Sequence, residues 1–226
     1  MDLHSIVGID VKWVGQHFRL WQHHLIKKLL VGNTNNFSPK QPLPNIELKS
    51  DVARQADKEY LSKVGVILYL SQETRPDVMF AINFLAHFLM ATSKRHWLAL
   101  RHLISYLEAT IGDVLVIEPD CGRKEAETFF NANWGGEGLR SQHGYVGLRW
   151  GVPVMWNSKC QPCIASSTFQ AEYMALAFGA KNFTWVIDNF GFVLQYCVLT
   201  IYSDNMAAIK VAANESSRKK AWNIEW

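Results

Sequence analysis

The chain has 226 residues, 49% of them hydrophobic and 19% charged, so it is long enough to bury a core and is neither a disordered tail nor a coiled coil. Its 23 basic and 20 acidic side chains give a formal net charge of +3, too small to indicate a nucleic-acid partner by itself. Four cysteines, no long uncharged apolar run and no basic segment ahead of an apolar stretch predict an intracellular protein, cytoplasmic or nuclear, that neither spans a membrane nor is secreted.

The first fifty residues begin with alternating apolar side chains and then lose this regular pattern. Alternating apolar side chains between Ile6 and Trp13 predict one strand, Gly15 a turn, and His17–Trp21 a returning strand. A short helix is expected over residues 22–30. The following stretch, Gly32 to Asn45, is rich in Gly, Asn, Ser and Pro and is typical of a loop.

The next segment has helical periodicity. Apolar side chains recur every three or four residues after Asp57, again between Val78 and Met90, and again after Ser93 as far as Leu107. Ser93 is a suitable N-cap for the third of these helices. Three helices with short links predict a small helical subdomain.

After Gly112 the pattern changes to short strands separated by turns. The predicted elements are strands at 114–117, 128–132, 144–150 and 152–156, a long helix at 168–192, a strand at 198–202 and a helix at 205–213. From residue 126 the order is therefore β-β-β-α-β-α.

Residues from three places in this series of elements can lie close together in the folded domain. Asn131 and Asn133 end the first strand of the series, Glu172 lies in the first turn of the long helix, and Asp204 follows the fourth strand. Carboxylates that converge from strand ends and a helix start can hold two divalent cations for phosphodiester hydrolysis. The same residues are also ordinary at helix starts, so spacing alone leaves both interpretations open.

The segment Asn131–Glu137, Asn-Ala-Asn-Trp-Gly-Gly-Glu, resembles the Asp-Ala-Asp-Trp-Ala-Gly-Asp box of copia-type LTR retrotransposon ribonuclease H. Four further segments resemble that domain in the same order, and they are Ser141–Tyr145, Trp156–Gln161, Ala165–Leu176 and Tyr202–Ile209. Upstream, Val64–Tyr69, Thr74–Asp77 and His96–Thr110 resemble the helical segment between polymerase and ribonuclease H, and Gly8–Lys12 resembles the end of the reverse transcriptase.

The resemblance implies a degenerate, truncated fragment of a Pol polyprotein with three parts. Residues 1–50 would be a remnant of the reverse-transcriptase C-terminal region, 51–120 a helical connection, and 121–226 an incomplete ribonuclease H-like domain. The implied fold class is α/β, a ribonuclease H-like mixed sheet with flanking helices preceded by the small helical connection subdomain. Its ancestral activity would be two-metal cleavage of RNA in RNA–DNA hybrids.

Position by position, the resemblance places the family's catalytic carboxylates on Asn131, Glu172 and Asp204. The fourth carboxylate would come after Trp226, with the last strand and helix. An amide at Asn131 is neutral, so we expect no enzymatic activity. Mg²⁺ would be the ancestral cofactor, which Glu172 and Asp204 could hold only weakly, and we expect no functional cofactor. Without the last strand and helix, residues 121–226 are expected to be marginally stable.

Two other functions stay open. The chain could be a non-catalytic nucleic-acid-binding module that binds an RNA–DNA hybrid or another nucleic acid, or it could fold poorly and have no selected function. The basic run Arg218–Lys220 could touch phosphate or could be a solvated end, and Lys94-Arg95 is a short, ordinary pair.

Other residues favour structural roles. Cys160 and Cys163 have the CxxC spacing of zinc or redox sites, but no further ligands stand at suitable spacing. His96 belongs to a His-Trp pair that favours packing over metal binding.

Overall fold

The computed structural model describes residues 4–31, 37–45, 56–120, 122, 126–135, 140–194 and 199–213. The chain divides into two units, Met1–Glu118 and Pro119–Trp226. The α/β class predicted from the sequence is confirmed. Within the described residues, no helix combines the length and the apolar character that crossing a bilayer requires.

The first unit begins with an antiparallel sheet in the order β1-β2-β3-β4, whose strands are β1 (His4–Ile6), β2 (Ile9–Val14), β3 (His17–Trp21) and β4 (Leu115–Ile117). The single strand predicted from Ile6 to Trp13 is wrong, because a tight turn divides it. Val7 and Gly8 form that turn with φ values of 50° and 74°. Positive φ at both central residues matches the twist of a two-residue hairpin, and valine is an unusual residue there.

Four helices form the core of this unit: α1 (His23–Leu30), α2 (Lys58–Glu73), α3 (Met79–Ala86) and α4 (Lys94–Ala109). The side chain of Asp57 caps α2 by accepting hydrogen bonds from the N–H groups of Glu59 and Tyr60. Ile26 and Leu29 of α1 lie in the same buried cluster as the apolar faces of α2, α3 and α4. The predicted domain boundary between residues 50 and 51 lies outside the described residues.

A buried arginine joins the α2–α3 turn to the end of α4. Arg75 is only 4% exposed, and its Nε and Nη2 donate to the two carboxylate oxygens of Asp77 at 2.9 and 2.7 Å. The same guanidinium donates to the carbonyl and hydroxyl oxygens of Thr110 at 3.2 and 2.6 Å. The planar fork of arginine can satisfy all these acceptors at once, which a lysine could not do.

The second unit contains the predicted β-β-β-α-β-α order, which is confirmed. Its elements are β5 (Ala126–Asn133), β6 (Gln142–Arg149), β7 (Val152–Cys160), α5 (Thr168–Leu194), β8 (Leu199–Tyr202) and α6 (Met206–Ala213). The sheet order is β7-β6-β5-β8, antiparallel except for the parallel β5–β8 pair. Parallel neighbours need a long crossover, and α5 supplies it.

Helix α5 packs closely on β5. Thr128, Phe130 and Ala132 are buried, whereas the alternate residues Phe129, Asn131 and Asn133 are exposed on the other face of the strand. The ring of Phe130 fills the space beside Gly179, where a Cβ atom would lie 1.6 Å from a ring carbon. This glycine lets the helix approach the strand, which fixes the height of α5 over the sheet.

We predict that Gly179→Ala destabilises the protein by about 2 kcal/mol or more, because overpacking against Phe130 outweighs the gain in helix propensity. Gly65→Ala on α2 is the matched control, since nothing lies within 4 Å of its would-be Cβ. The control should stabilise by roughly 0.5–1 kcal/mol. Urea denaturation measures both, and equal effects of the two substitutions would contradict the close approach.

His143 is a buried, neutral residue of β6. It is 3% exposed, its ring centroid lies 4.7 Å from that of Phe178, and neither ring nitrogen has a hydrogen-bond partner in the described part of the chain. Burial, assisted by the charge of Lys159, lowers the pKa of His143 to about 4. Protonation is therefore easier in the unfolded state than in the folded one.

The unfolded state binds more protons than the folded state between about pH 4 and 6.5, so His143 makes stability fall as the pH falls through this window. We predict that lowering the pH from 7 to 5 costs about 2 kcal/mol through this residue. His143→Gln should remove that part of the loss in urea denaturation at the two pH values. The raised pKa of Glu172 acts in the opposite direction, so the difference between the two proteins isolates His143. Parallel pH dependences of both proteins would contradict the prediction.

Candidate functional site

Two of the three predicted positions lie at the ends of neighbouring strands of the second sheet. The β5–β8 ladder ends with the pair Phe129–Tyr202, and Asn131 and Asp204 each come two residues later. Since the two strands are parallel, both positions lie at the carboxyl end of the sheet. β5 continues beyond the last residue of β8 and leaves its edge open there.

The carboxyl group of Glu172 occupies this open edge. Its Oε1 accepts a hydrogen bond of 3.2 Å from the backbone N–H of Ala132, the amide that joins Ala132 to Asn131. The side chain is 5% exposed. Helix α5 begins at Thr168, where the sequence predicted it, after a serine cap. Glu172 is its fifth residue and so lies just beyond the first turn, in which the sequence analysis had placed it.

Glu172 also interacts electrostatically with Asp204. Burial raises the pKa of Glu172, the Ala132 N–H opposes that rise, and the negative charge of Asp204 adds to it. Oε2 of Glu172 is buried and has no hydrogen-bond partner among the described residues. A buried carboxylate oxygen without a donor has an unmet need, which a bound cation or an ordered water could satisfy.

The amide positions differ from the two acids. The side chains of Asn131 and Asn133 are exposed and leave β5 on the face opposite to Phe130 and Ala132. The structure therefore brings the backbone at Asn131, the carboxyl of Glu172 and the charge of Asp204 together, and directs the Asn131 amide toward solvent. Within the described residues, no group of three or more His, Cys, Asp or Glu side chains could hold a metal ion.

The start of α5 has its own capping network. The hydroxyl of Ser167 accepts from the N–H of Gln170 at 3.2 Å, and the side-chain oxygen of Gln170 accepts from the N–H and hydroxyl of Ser166, both at 2.6 Å. The Ser-x-x-Gln spacing of residues 167–170 is a capping-box signal that sequence reasoning could have used. The cap sets where α5 begins, and hence where Glu172 lies.

Three further side chains that the sequence did not single out connect the strand ends to neighbouring segments of the second unit. Trp134 donates its indole N–H to the carbonyl of Ala165 at 3.0 Å, and Gln161 donates its amide N–H to the carbonyl of Ala171 at 2.8 Å. The buried hydroxyl of Ser141 accepts from the N–H of Gly135 at 3.3 Å. No spacing rule predicts these bonds, because each joins residues that only the fold makes neighbours.

The remaining candidates lie elsewhere. Cys160 and Cys163 are half-buried free thiols, and burial raises the pKa of Cys160. His96 is fully buried, accepts a hydrogen bond from the N–H of Ser93 at its Nδ1 and stacks on Phe88 at 4.0 Å. These contacts give His96 a role in capping and packing α4. Glu137 and Arg218–Lys220 lie outside the described residues.

No protein-family model matches the chain. Individual known proteins do match it, and they indicate its family. It is 29% identical over 224 residues to the retrovirus-related Pol polyprotein from transposon RE2 of Arabidopsis thaliana, covering 94% of this chain and 15% of that protein. It is 28% identical over 191 residues to the corresponding polyprotein from transposon TNT 1-94 of Nicotiana tabacum, covering 83% of this chain and 14% of the relative.

A shorter relative is matched over most of its length. The chain is 36% identical over 129 residues to the secreted RxLR effector protein 161 of Plasmopara viticola, covering 56% of this chain and 90% of the effector. The Pol polyproteins are matched over most of this chain, which itself spans about 15% of the length of the RE2 polyprotein. The chain therefore belongs to the copia-type retrotransposon Pol polyprotein family.

Proposed function

We propose that the second unit is a ribonuclease H-like domain that descends from a hydrolase of the RNA strand in RNA–DNA hybrids and has lost that activity. The observation that carries the proposal is the buried carboxyl of Glu172. It bonds the Ala132 amide next to Asn131 and lies within reach of the charge of Asp204. The mixed sheet with a crossover helix between its parallel strands supports the same interpretation.

The retained residues fit a cation only in part. Glu172 and Asp204 supply carboxylate oxygens, the ligands that Mg²⁺ prefers, and the unpartnered Oε2 of Glu172 is free to accept one. When bound, a pair of divalent cations would stabilise the attacking and the leaving oxygen of the phosphodiester. Glu172 would hold its oxygen in place through the Ala132 amide, and Asp204 would add the second charge.

The neutral residue at the third position, Asn131, accounts for the proposed loss of activity. Asn131 offers one neutral acceptor oxygen in place of a carboxylate, and Asn133 is neutral as well. Two carboxylates do not balance the four positive charges of two cations. Losing one member of a catalytic group that acts as a unit costs on the order of 10⁴-fold or more in rate.

Binding without cleavage is the second candidate function. The rings of Phe129 and Tyr202 stack at 4.7 Å with an angle of 9° between them, and the two side chains are 39% and 41% exposed. Phe129 lies two residues before Asn131 in β5, and Tyr202, the last residue of β8, lies two residues before Asp204. Exposed aromatic rings beside such a centre are suited to stacking on nucleic-acid bases, so an RNA–DNA hybrid is the expected partner. We also propose that the protein is intracellular, as the sequence predicts.

We predict that the unaltered chain does not cut the RNA strand of a labelled RNA–DNA hybrid in Mg²⁺ or Mn²⁺. Metal-dependent cutting that Glu172→Gln abolishes would contradict this prediction and would identify a working nuclease. Denaturing gel electrophoresis of the labelled strand is the measurement.

We further predict that Asn131→Asp raises the affinity for Mn²⁺ at least about tenfold, because it adds a negative charge at the strand end beside Glu172 and Asp204 and so strengthens their attraction for the cation. Asn133→Asp adds the same charge two residues farther along the strand and serves as the matched control, with a smaller gain expected. Isothermal titration calorimetry measures the affinities. No gain, or equal gains in both variants, would count against an assembled metal centre at Asn131.

A further inference from the structure

The antiparallel sheet of the first unit has one apolar face. Residues that are paired across neighbouring strands lie on the same face of a sheet, and successive residues of a strand alternate between the two faces. The cross-strand pairs therefore give one face six apolar side chains: Val11 and Trp13 of β2, Phe18 and Leu20 of β3, and Leu115 and Ile117 of β4. We call these six residues the apolar sheet face.

The helical core of the first unit does not use this face. None of its six residues belongs to the buried cluster of the helices or to the partly buried side chains that pack against that cluster. None of the six is buried, and Trp13 and Phe18 are each 40% exposed. A sheet with one apolar face normally buries that face against another layer of the protein. Among the described residues, no element buries the apolar sheet face.

The opposite face of the sheet carries its charged side chains. Asp10, Lys12 and Arg19 alternate along their strands with residues of the apolar sheet face. The Oδ2 of Asp10 lies 3.8 Å from the Nδ1 of His24 in α1, so α1 meets the sheet on this charged face. Lys12 and Arg19 are exposed. The sheet thus has its charges on the side of α1 and the apolar sheet face on the other side.

Two aromatic rings are the most exposed part of the apolar sheet face. The ring centroids of Trp13 and Phe18 lie 4.3 Å apart with the ring planes at 73°, an edge-to-face arrangement. The two residues are paired close to the hairpin turn at Gly15, whose φ of 62° suits a tight turn. Because each ring restricts the other, covering them with a partner loses little conformational entropy. Preordered aromatic side chains of this kind are typical of the centre of a protein–protein interface.

We propose that the apolar sheet face is a dimer interface, which packs on the same face of a second copy of this chain. A face without charged side chains can meet its own copy across a two-fold axis, because no like charges are brought together. Sheets packed face to face lie about 10 Å apart with their strands within about 30° of each other, so the side chains of the two copies interdigitate. This interface lies in the first unit and does not depend on the hydrolytic centre of the second, so it goes beyond the proposed function.

The distribution of charge favours a second copy over a membrane surface. An apolar surface that inserts into anionic lipid normally has cations beside it on the same side. Lys12 and Arg19 extend instead from the opposite face of the sheet. Binding to lipid vesicles is therefore an outcome that the test has to distinguish from self-association.

The size of the apolar sheet face predicts a weak, reversible dimer. Strands about 4.8 Å apart, with a rise of about 3.3 Å per residue, give a four-stranded sheet of this length a face that buries roughly 400–500 Å² on each copy. The pair Ile6–Ile9 of β1 and β2, of which Ile6 is 60% exposed, contributes to this area. A standard interface buries about 800 Å² on each partner. We therefore expect a dissociation constant of the order of 10–100 μM.

Sedimentation velocity of the full chain tests the dimer. Between about 1 and 200 μM protein, we predict that the average mass rises from that of one chain toward that of two. The rise should persist in about 1 M KCl, because salt screens charge pairs but does not weaken apolar contacts. Phe18→Glu should raise the dissociation constant at least about tenfold, since it places a charge in the apolar interface. The neutral substitution Trp13→Gln should also raise it, and circular dichroism with thermal melting verifies the fold of each variant.

The matched control is Val116→Glu. Val116 is 38% exposed, close to the value for Phe18, but it is paired with Arg19 on the charged face of the sheet. The dissociation constant of this variant should stay near that of the unaltered chain. A chain that stays monomeric at 200 μM, a dimer that 1 M KCl dissociates, equal effects of Phe18→Glu and Val116→Glu, or capture of the monomer by phosphatidylserine vesicles in place of self-association would each overturn the proposal. Glu172→Gln with Asp204→Asn should leave the dimer unchanged, which separates failure here from failure of the proposed function.

Discussion

The second unit depends on how closely α5 can approach β5. Gly179 leaves room for the ring of Phe130, and no larger residue would fit at that point of the helix. Near its start, α5 carries small residues, Ala171 and Ala175, against Ala132 and Ala165. This close contact along the strand brings a glutamate from the second turn of a helix to the backbone of a strand. The bond between Glu172 and the Ala132 amide is therefore a consequence of core packing.

The site around Glu172 has a geometry that suits a cation but less negative charge than two cations require. The strand ends, the capped helix start and the two acids keep an arrangement that could hold a cation, while the third position offers an exposed amide. A substitution of Asp by Asn hardly changes shape, so packing does not select against it. It removes a full negative charge, and two-metal chemistry depends on that charge. Under the proposed function, the fold persists although the reaction that it supported is lost.

The first unit is stabilised in a different way. Its helices share one apolar core, and the buried Arg75 links the α2–α3 turn to the end of α4 through Asp77 and Thr110. Those interactions are satisfied internally. Lys94 and Arg95, the first two residues of α4, lie where the helix dipole disfavours cations, and the first turn of this helix has no acidic residue.

The sequence by itself determined the element order of the second unit, the α/β class and the family. Periodicity of 2 or 3.6 records which face of an element is buried, so the helices around Val64 and Leu103 and the strand around Phe130 could be predicted from local pattern. Several collinear motifs indicated the family, because the order of several segments is far more specific than any one of them.

Only the tertiary structure decided the details on which function depends. It divided the first predicted strand at Val7 and bonded the carboxyl of Glu172 to the backbone of β5. It joined Trp134 to Ala165 and Gln161 to Ala171, and it left the cations at the start of α4 without a described counter-charge. Each of these outcomes depends on which atoms the fold makes neighbours. Local sequence pattern reports burial, whereas hydrogen-bond partners and uncompensated charges depend on contacts between residues that lie far apart in the chain.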